Sequence, residues 1–313
     1  MAGAGDYDRI HVIGVPLDHG AGRRGVGVGP SAIRIAGLHG ILNRIGHQLV
    51  DHGDLIIAAP ETQQQEHVNA KYLTLISRTC EQLCESVADV LDQGGFPLII
   101  GGDHSMSIGS VSGIATHMHN QEPALDVRRL GVIWFDAHGD INTPDSSPSG
   151  NIHGMPVACL LGKGPKSLTE IGYAGPKVAP ARFVQIGIRD IDDNERHLLA
   201  DAGIHVYTMA DIDRHGMAEI MERAIEIATK GTEYLHVSFD IDSVDPAVAP
   251  GTGTKALGGL TYREAHLAME MIADTQRLTS LEVAEVNPIL DIQNRTSEVA
   301  VELIGSALGK RIL

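Results

Sequence analysis

The chain has 313 residues, 43% of them hydrophobic, with 24 basic against 40 acidic side chains for a formal net charge of −16. That length and apolar fraction suit one large α/β domain spanning 1–313, and the acidic balance without a Lys/Arg-rich run speaks against nucleic acid or anionic membrane as partners. The opening MAGAGDYDRI has neither a basic start nor a continuous apolar core, and no apolar run is long enough to span a bilayer, so a cytoplasmic protein is expected.

An apolar run predicts a strand over 10–15, followed by a glycine-rich loop over 18–29. Pro30 and Ser31 then open a helix of sequence PSAIRIAGLHGIL, with proline where its missing donor costs least. The loop glycines do not follow the strand in dinucleotide spacing, and no P-loop Lys-Ser/Thr pair is present, so a nucleotide cradle is not expected. The polar stretch 61–71 is expected to begin a long helix reaching about residue 93, with Leu73, Ile76, Leu83, Val87 and Val90 at helical spacing. Cys80 and Cys84 lie one turn apart on it, and Cys159 sits in an apolar segment; all three read as reduced, buried thiols.

A buried strand over 97–100 runs into Gly101-Gly102-Asp103-His104-Ser105, and another over 131–135 runs into Asp136-Ala137-His138-Gly139-Asp140. A strand over 183–186 leads to Arg189-Asp190-Ile191-Asp192, and a short one follows over 204–207. Asp211 is expected to open a helix reaching about Lys230 and closed by Gly231. The strand over 235–239 ends in Asp240-Ile241-Asp242, and the one over 281–286 carries Glu285. Helices over 261–276 and 294–308 complete the order.

Strands alternating with helices predict a mostly parallel sheet of about eight strands, either open and three-layered or closed into a barrel. In both architectures ligands sit at the carboxyl ends of the strands, and five of the predicted strands end in ionisable groups. Asp136, His138 and Asp140 alternate along a chain expected to stay near strand geometry, which would turn all three toward one cation. Taken alone the triplet could instead cap a turn, the less favoured reading. Its recurrence after other strands favours a metal site, since carboxylates crowded at one sheet edge repel one another unless cations lie among them.

Many carboxylates with two imidazoles and no nearby cysteine suit Mn²⁺ or a similar first-row ion. There are too many for one ion, and two ions bridged by shared Asp oxygens would hold a hydroxide between them. The motifs carry only Arg189 as a base, so a cationic substrate fits better than a phosphoester, and Glu285 suits a planar guanidinium. His153, in the loop Ser149-Gly150-Asn151-Ile152-His153-Gly154, could protonate a leaving amine.

Gly101-Gly102-Asp103-His104-Ser105, Asp136-Ala137-His138-Gly139-Asp140 and Ser238-Phe239-Asp240-Ile241-Asp242 resemble the three manganese signatures of the ureohydrolases. Ser149-Gly150-Asn151-Ile152-His153-Gly154, together with Gly22-Arg23-Arg24-Gly25 and Gly29-Pro30-Ser31-Ala32-Ile33-Arg34, is similar to the arginases, in particular bacterial ones. The resemblance implies a three-layer α/β/α fold, two Mn²⁺ per subunit and hydrolysis of L-arginine to L-ornithine and urea by a metal-bridging hydroxide. It also implies a homo-oligomer, trimeric or hexameric.

Carried over, His104, Asp136, Asp140 and Asp240 would bind one ion, and Asp136, His138, Asp240 and Asp242 the other. Asn142, Ser147 and Ser149 would hold the substrate carboxylate, with Asn151 also among the substrate-binding residues; Asp192 would hold its α-amino group and Glu195 would sit near that group through water. Thr254 would stand near the reacting end and Glu285 at the guanidinium. The groups at the chemistry would be His153, Asp140 and Glu285, with His153 as proton shuttle. Lys255 stands where the family pattern has proline. Agmatinase shares the metal motifs, but its substrate lacks the carboxylate that the SGNxHG loop would read. A catalytically silent homologue would not need every ligand and His153 together.

Overall fold

The structure, a computed structural model, describes residues 9–122 and 127–311. The N-terminal residues 1–8, read above for a leader, lie outside them. In chain order the elements are β1 (Arg9–Val15), α1 (Gly29–Ile35), α2 (Leu38–Arg44), β2 (Gln48–Asp54), α3 (Leu73–Asp92), β3 (Phe96–Gly101), α4 (Ser107–Gln121), β4 (Leu130–Phe135), α5 (Pro156–Leu160) and α6 (Lys166–Thr169). They continue as β5 (Phe183–Ile188), α7 (Asp193–Ala202), β6 (His205–Thr208), α8 (Met209–His215), α9 (Met217–Thr229), β7 (Tyr234–Asp240), α10 (Tyr262–Asp274), β8 (Leu278–Ala284) and α11 (Arg295–Ala307).

All eight strands pair in parallel in one open sheet of order β2-β1-β3-β8-β7-β4-β5-β6. Because side chains alternate along a strand, each strand feeds two cores. Ile133 and Phe135 of β4 pack with α8–α11 residues such as Met221, Ala224 and Leu303, while Val132 and Trp134 pack with Leu83, Val111 and Val157 of α3–α5 on the other face. Burial of one such side chain contributes about 1.5–3 kcal/mol. Helices therefore cover both faces, giving the expected three layers, and the open edges at β2 and β6 settle sheet against barrel. Among the described residues no helix is long and apolar enough to cross a membrane.

The strand order brings the chemistry together. The five strands expected to end in ionisable groups are β3, β4, β5, β7 and β8, and in the sheet they are consecutive: β3-β8-β7-β4-β5. A chain that crosses from β3 to β4 and later fills the gap with β7 and β8 leaves loops diverging above these carboxyl ends, where a ligand site forms in open α/β sheets.

Several local expectations need correction. The sequence PSAIRIAGLHGIL is two helices, broken at Gly37, whose φ of 101° only glycine adopts at little cost. The stretch 61–71 does not begin the long helix: α3 starts at Leu73 after Tyr72, whose φ of 53° interrupts any helix before it. The predicted helix from Asp211 is α8 and α9, separated at Gly216; Thr208 is the N-cap, and Asp211 is the third residue of its capping box. All three cysteines are buried and unpaired, as expected.

Candidate metal and catalytic site

β4 delivers Asp136, and the backbone then departs from strand geometry. Bends at Ala137 and His138 and a φ of 51° at Asp140 aim the three side chains. The predicted extended alternation is thus replaced by a coiled turn with the same convergence. Asp136 is fixed on both sides: Trp134 Nε1 donates to its Oδ2 at 2.9 Å, and the His138 amide donates to its Oδ1 at 2.7 Å. From β3, His104 lies in a short turn capped by Asp103, its ring stacked on Trp134 with centroids 4.2 Å apart. From β7, the Asp242 amide donates to Asp240 Oδ1 at 2.7 Å, so one turn places both carboxylates.

The donor atoms meet in two groups, His104 with Asp136 and Asp240, and His138 with Asp136 and Asp242. His104 Nδ1 lies 3.2 Å from Asp136, 3.1 Å from Asp140 and 3.1 Å from Asp240. His138 Nδ1 lies 3.1 Å from Asp242 and 3.4 Å from Asp136. Ion-to-ligand bonds of about 2.0–2.2 Å put neighbouring octahedral ligands about 3 Å apart, which matches this spacing.

Buried atoms left without partners supply the test of fit. His104 Nε2 is 2.8 Å from Ser238 Oγ, so Nδ1 is the ring nitrogen turned toward three carboxylate oxygens. Neither His104 Nδ1 nor Asp140 Oδ2 has a hydrogen-bond partner, although both are buried. Burial alone would lower the His104 pKa, but Asp136, Asp140 and Asp240 raise it well above the ordinary value. Burial raises Asp240, and repulsion from Asp242 and Asp136 adds to it. Both shifts express a demand for positive charge at one point, which a divalent cation meets better than shared protons.

Above these ligands a cavity of about 160 Å³ is lined by thirteen of the predicted residues: His104, His138, Asp140, Asn142, Ser147, Ser149, Asn151, His153, Asp192, Glu195, Asp240, Asp242 and Thr254. A larger cleft, about 490 Å³ between residues 56–66 and α3, contains none of them. Asp136 and Glu285 do not line the smaller cavity. Asp136 is buried beneath the ligand cluster, and Glu285, at a φ of 62°, sits below His153, whose Nδ1 is 3.0 Å from Glu285 Oε1. The His104 amide donates to the same oxygen at 2.9 Å, while Glu285 Oε2 is buried without a partner.

At the far wall, Ser147 Oγ accepts from the Gly150 amide at 2.9 Å and Ser149 Oγ from the Asn151 amide at 3.2 Å. Each hydroxyl is held through its oxygen, so its own hydrogen is left to donate into the cavity. Asp192 caps α7, accepting from the Asn194 and Glu195 amides, and also takes Asn142 Nδ2 at 2.8 Å. Burial lifts the Glu195 carboxyl to about 7, with Asp192 adding to it. Thr254 donates its hydroxyl to Asp242 Oδ2 at 2.8 Å, so it supports a candidate ligand as well as facing the cavity. Lys255 beside it is exposed.

The chain resembles proteins of known activity. The arginase family profile matches residues 8–309. An arginase from Bacillus caldovelox is 47% identical over 305 residues, covering 97% of this chain and 99% of that protein. This chain belongs to the arginase family. The solved Bacillus caldovelox arginase, native at pH 5.6, superposes with a TM-score of 0.92 at 46% identity over 98% of this chain and 100% of that one. An Entamoeba histolytica arginase solved in complex with L-ornithine gives a TM-score of 0.88 at 32% identity, covering 97% of this chain and 99% of that one.

In this arginase-family chain, sequence reasoning assigned no role to four residues around the candidate ligands. Trp134, the only tryptophan, orients Asp136 and stacks on His104. Ser238 meets His104 Nε2. Among the described residues Arg189 pairs with no carboxylate; it donates to the carbonyls of Gly187, Asp242, Ser243 and Ala256, tying the β5 loop to the β7 turn and the Thr254 loop. Asp103 accepts from the Gly20 amide at 2.8 Å, and Gly20 in turn accepts the His153 amide at 3.2 Å. Signals existed for two: the lone tryptophan before Asp136, and an arginine followed by two acids, Asp190 and Asp192.

Proposed function

We propose that the chain, as one catalytic unit over 1–313, hydrolyses L-arginine to L-ornithine and urea with two Mn²⁺ per subunit. The observation that carries this reading is the sharing of Asp136 between two imidazole–carboxylate groups directly beneath a wall of hydroxyl donors. His104, Asp136, Asp140 and Asp240 would hold one ion, and Asp136, His138, Asp240 and Asp242 the other, with Asp136 and Asp240 common to both. Such a pair supplies hydroxide at neutral pH and polarises the carbon that it attacks.

The protein's own residues do the rest. Ser147, Ser149, Asn142 and Asn151 receive the α-carboxylate, and the Asp192 anion, backed by Glu195, faces the α-ammonium. That anchoring at one end fixes the guanidinium at the other, which converts a bimolecular encounter into an oriented one. His153, charged through its contact with Glu285, holds the proton that the departing δ-amine of ornithine requires. Glu285 Oε2, unpartnered and anionic, attracts the guanidinium toward the ligand cluster. The reading includes a homo-oligomer, trimeric or hexameric, in the cytoplasm.

The deciding experiment measures urea release from L-arginine and from agmatine on chelator-stripped protein, with and without Mn²⁺. Mn²⁺-dependent turnover of L-arginine alone is expected. Turnover of agmatine alone would overturn the carboxylate-reading wall. Replacing Ser147 and Ser149 together by Ala should raise KM for L-arginine by roughly 10²–10⁴-fold with kcat changed far less, since each removed bond is to a charged group worth about 1.5–3 kcal/mol. Steady-state kinetics at saturating Mn²⁺ checks it, and an unchanged KM would refute the assignment.

A further inference from the structure

The segment just before α3, read from sequence as the start of a helix, instead lies along the loop that carries Ser149, Gly150 and Asn151. The Lys71 amide donates to the Gly150 carbonyl at 2.9 Å. The Lys71 ammonium donates to Asn151 Oδ1 at 3.0 Å, with the pair partly buried. Gly150 has a φ of 70°, and a Cβ there would stand 2.0 Å from the Val68 carbonyl oxygen, so the two backbones are in close contact. The crossing is a clamp of two hydrogen bonds and one steric fit, supplied from outside the sheet.

A lysine has three donors and no acceptor. It can bond only the oxygen of the Asn151 carboxamide, and this fixes which way the amide points: Oδ1 to Lys71, Nδ2 away from it. Asn151 lines the cavity beside Ser147 and Ser149, whose hydrogens also remain free to donate. A carboxamide turned the other way would set an oxygen against an incoming carboxylate. We propose that Lys71 is a specificity-positioning residue: through Asn151 it makes the SGN loop a donor-only surface that admits amino-acid carboxylates. The inference rests on the arginine reading above and extends it to a residue that touches neither substrate nor metal ligands.

The test compares Lys71→Met, which keeps the stem and removes the donors, with Lys71→Arg, which keeps a donor. KM for L-arginine is expected to rise roughly tenfold in Lys71→Met, with kcat within about twofold and metal content unchanged. Inhibition by L-ornithine should weaken by the same factor, while inhibition by 1,4-diaminobutane, which is ornithine without its carboxylate, stays as in the parent. Lys71→Arg should recover most of the loss. In an Asn151→Ala background, Lys71→Met should add nothing further, because its effect runs through that amide. Equal weakening for ornithine and the diamine, unchanged constants, or full additivity with Asn151→Ala overturns the positioning role. Parent protein that neither hydrolyses L-arginine nor binds L-ornithine overturns the function beneath it, and the inference falls with it.

Discussion

Asp136→Ala is expected to abolish binding of both ions and to lower urea release from L-arginine by at least about 10³-fold, because several kcal/mol of charge stabilisation go with the ions and each 1.36 kcal/mol is tenfold. The reason is geometric. Asp136 Oδ2 faces His104 and its Oδ1 faces His138, so one carboxylate belongs to both donor groups. An alanine leaves each group one ligand short and strands the Trp134 Nε1–H in a dry interior. Binding is also folding free energy here: a ligand at about 1,000 times its Kd stabilises the native state by about 4 kcal/mol. Chelation should therefore lower the Tm of the parent on the order of 10 °C, and Asp136→Ala should be insensitive to Mn²⁺. Metal analysis and calorimetry read both quantities. A variant that retains two ions per chain would refute the shared-ligand arrangement.

What was legible beforehand follows from the physics of parallel sheets. Strands buried on both faces are continuous apolar runs, and the abrupt polarity change at Asp136 or Asp103 marks the exit onto the ligand edge. That carried the five strands that converge on the candidate site and the candidate ligand residues. β2 escaped notice because its sequence, QLVDHGD, is an edge strand with most of its residues exposed, so no apolar pattern is needed. α4 escaped because its glycines are spacers: a Cβ at Gly109 or Gly113 would stand 2.6–2.7 Å from carbonyl oxygens of α3. Such close packing leaves no amphipathic stripe to read. The positive φ values at Asp140 and Glu285 were equally hidden, since glutamate rarely adopts a left-handed backbone and aspartate, though enriched there, adopts it at only a few of its positions. Those two strained positions sit in and just below the candidate site, where the surrounding fold has to hold them.

His153→Ala is expected to lower kcat by about 10²–10⁴-fold while leaving metal content and KM nearly unchanged, the signature of lost acid–base help. The pH profile separates this from mere cavity formation. Burial alone would push the His153 pKa down, but its contact with Glu285, reinforced by Asp140 and Asp103, raises it from 6.5 to about 9. A raised pKa means that the pair's contribution to stability is complete below about 6.5 and fades as pH climbs through about 9. In the proposed mechanism the same proton would be the one delivered to the leaving amine, so kcat should fall on the alkaline side as it is lost. Cations bound nearby oppose protonation, so in the loaded enzyme that limb should lie below about 9. Glu285→Gln keeps an acceptor for the His104 amide but removes the charge that raises His153, so the limb should move toward lower pH. In His153→Ala the limb should vanish, leaving a slow rate without that dependence. Parent-like kcat in His153→Ala, or an alkaline limb that survives the substitution, would assign the proton to another group, with Glu195 next in line because burial has already lifted it to about 7.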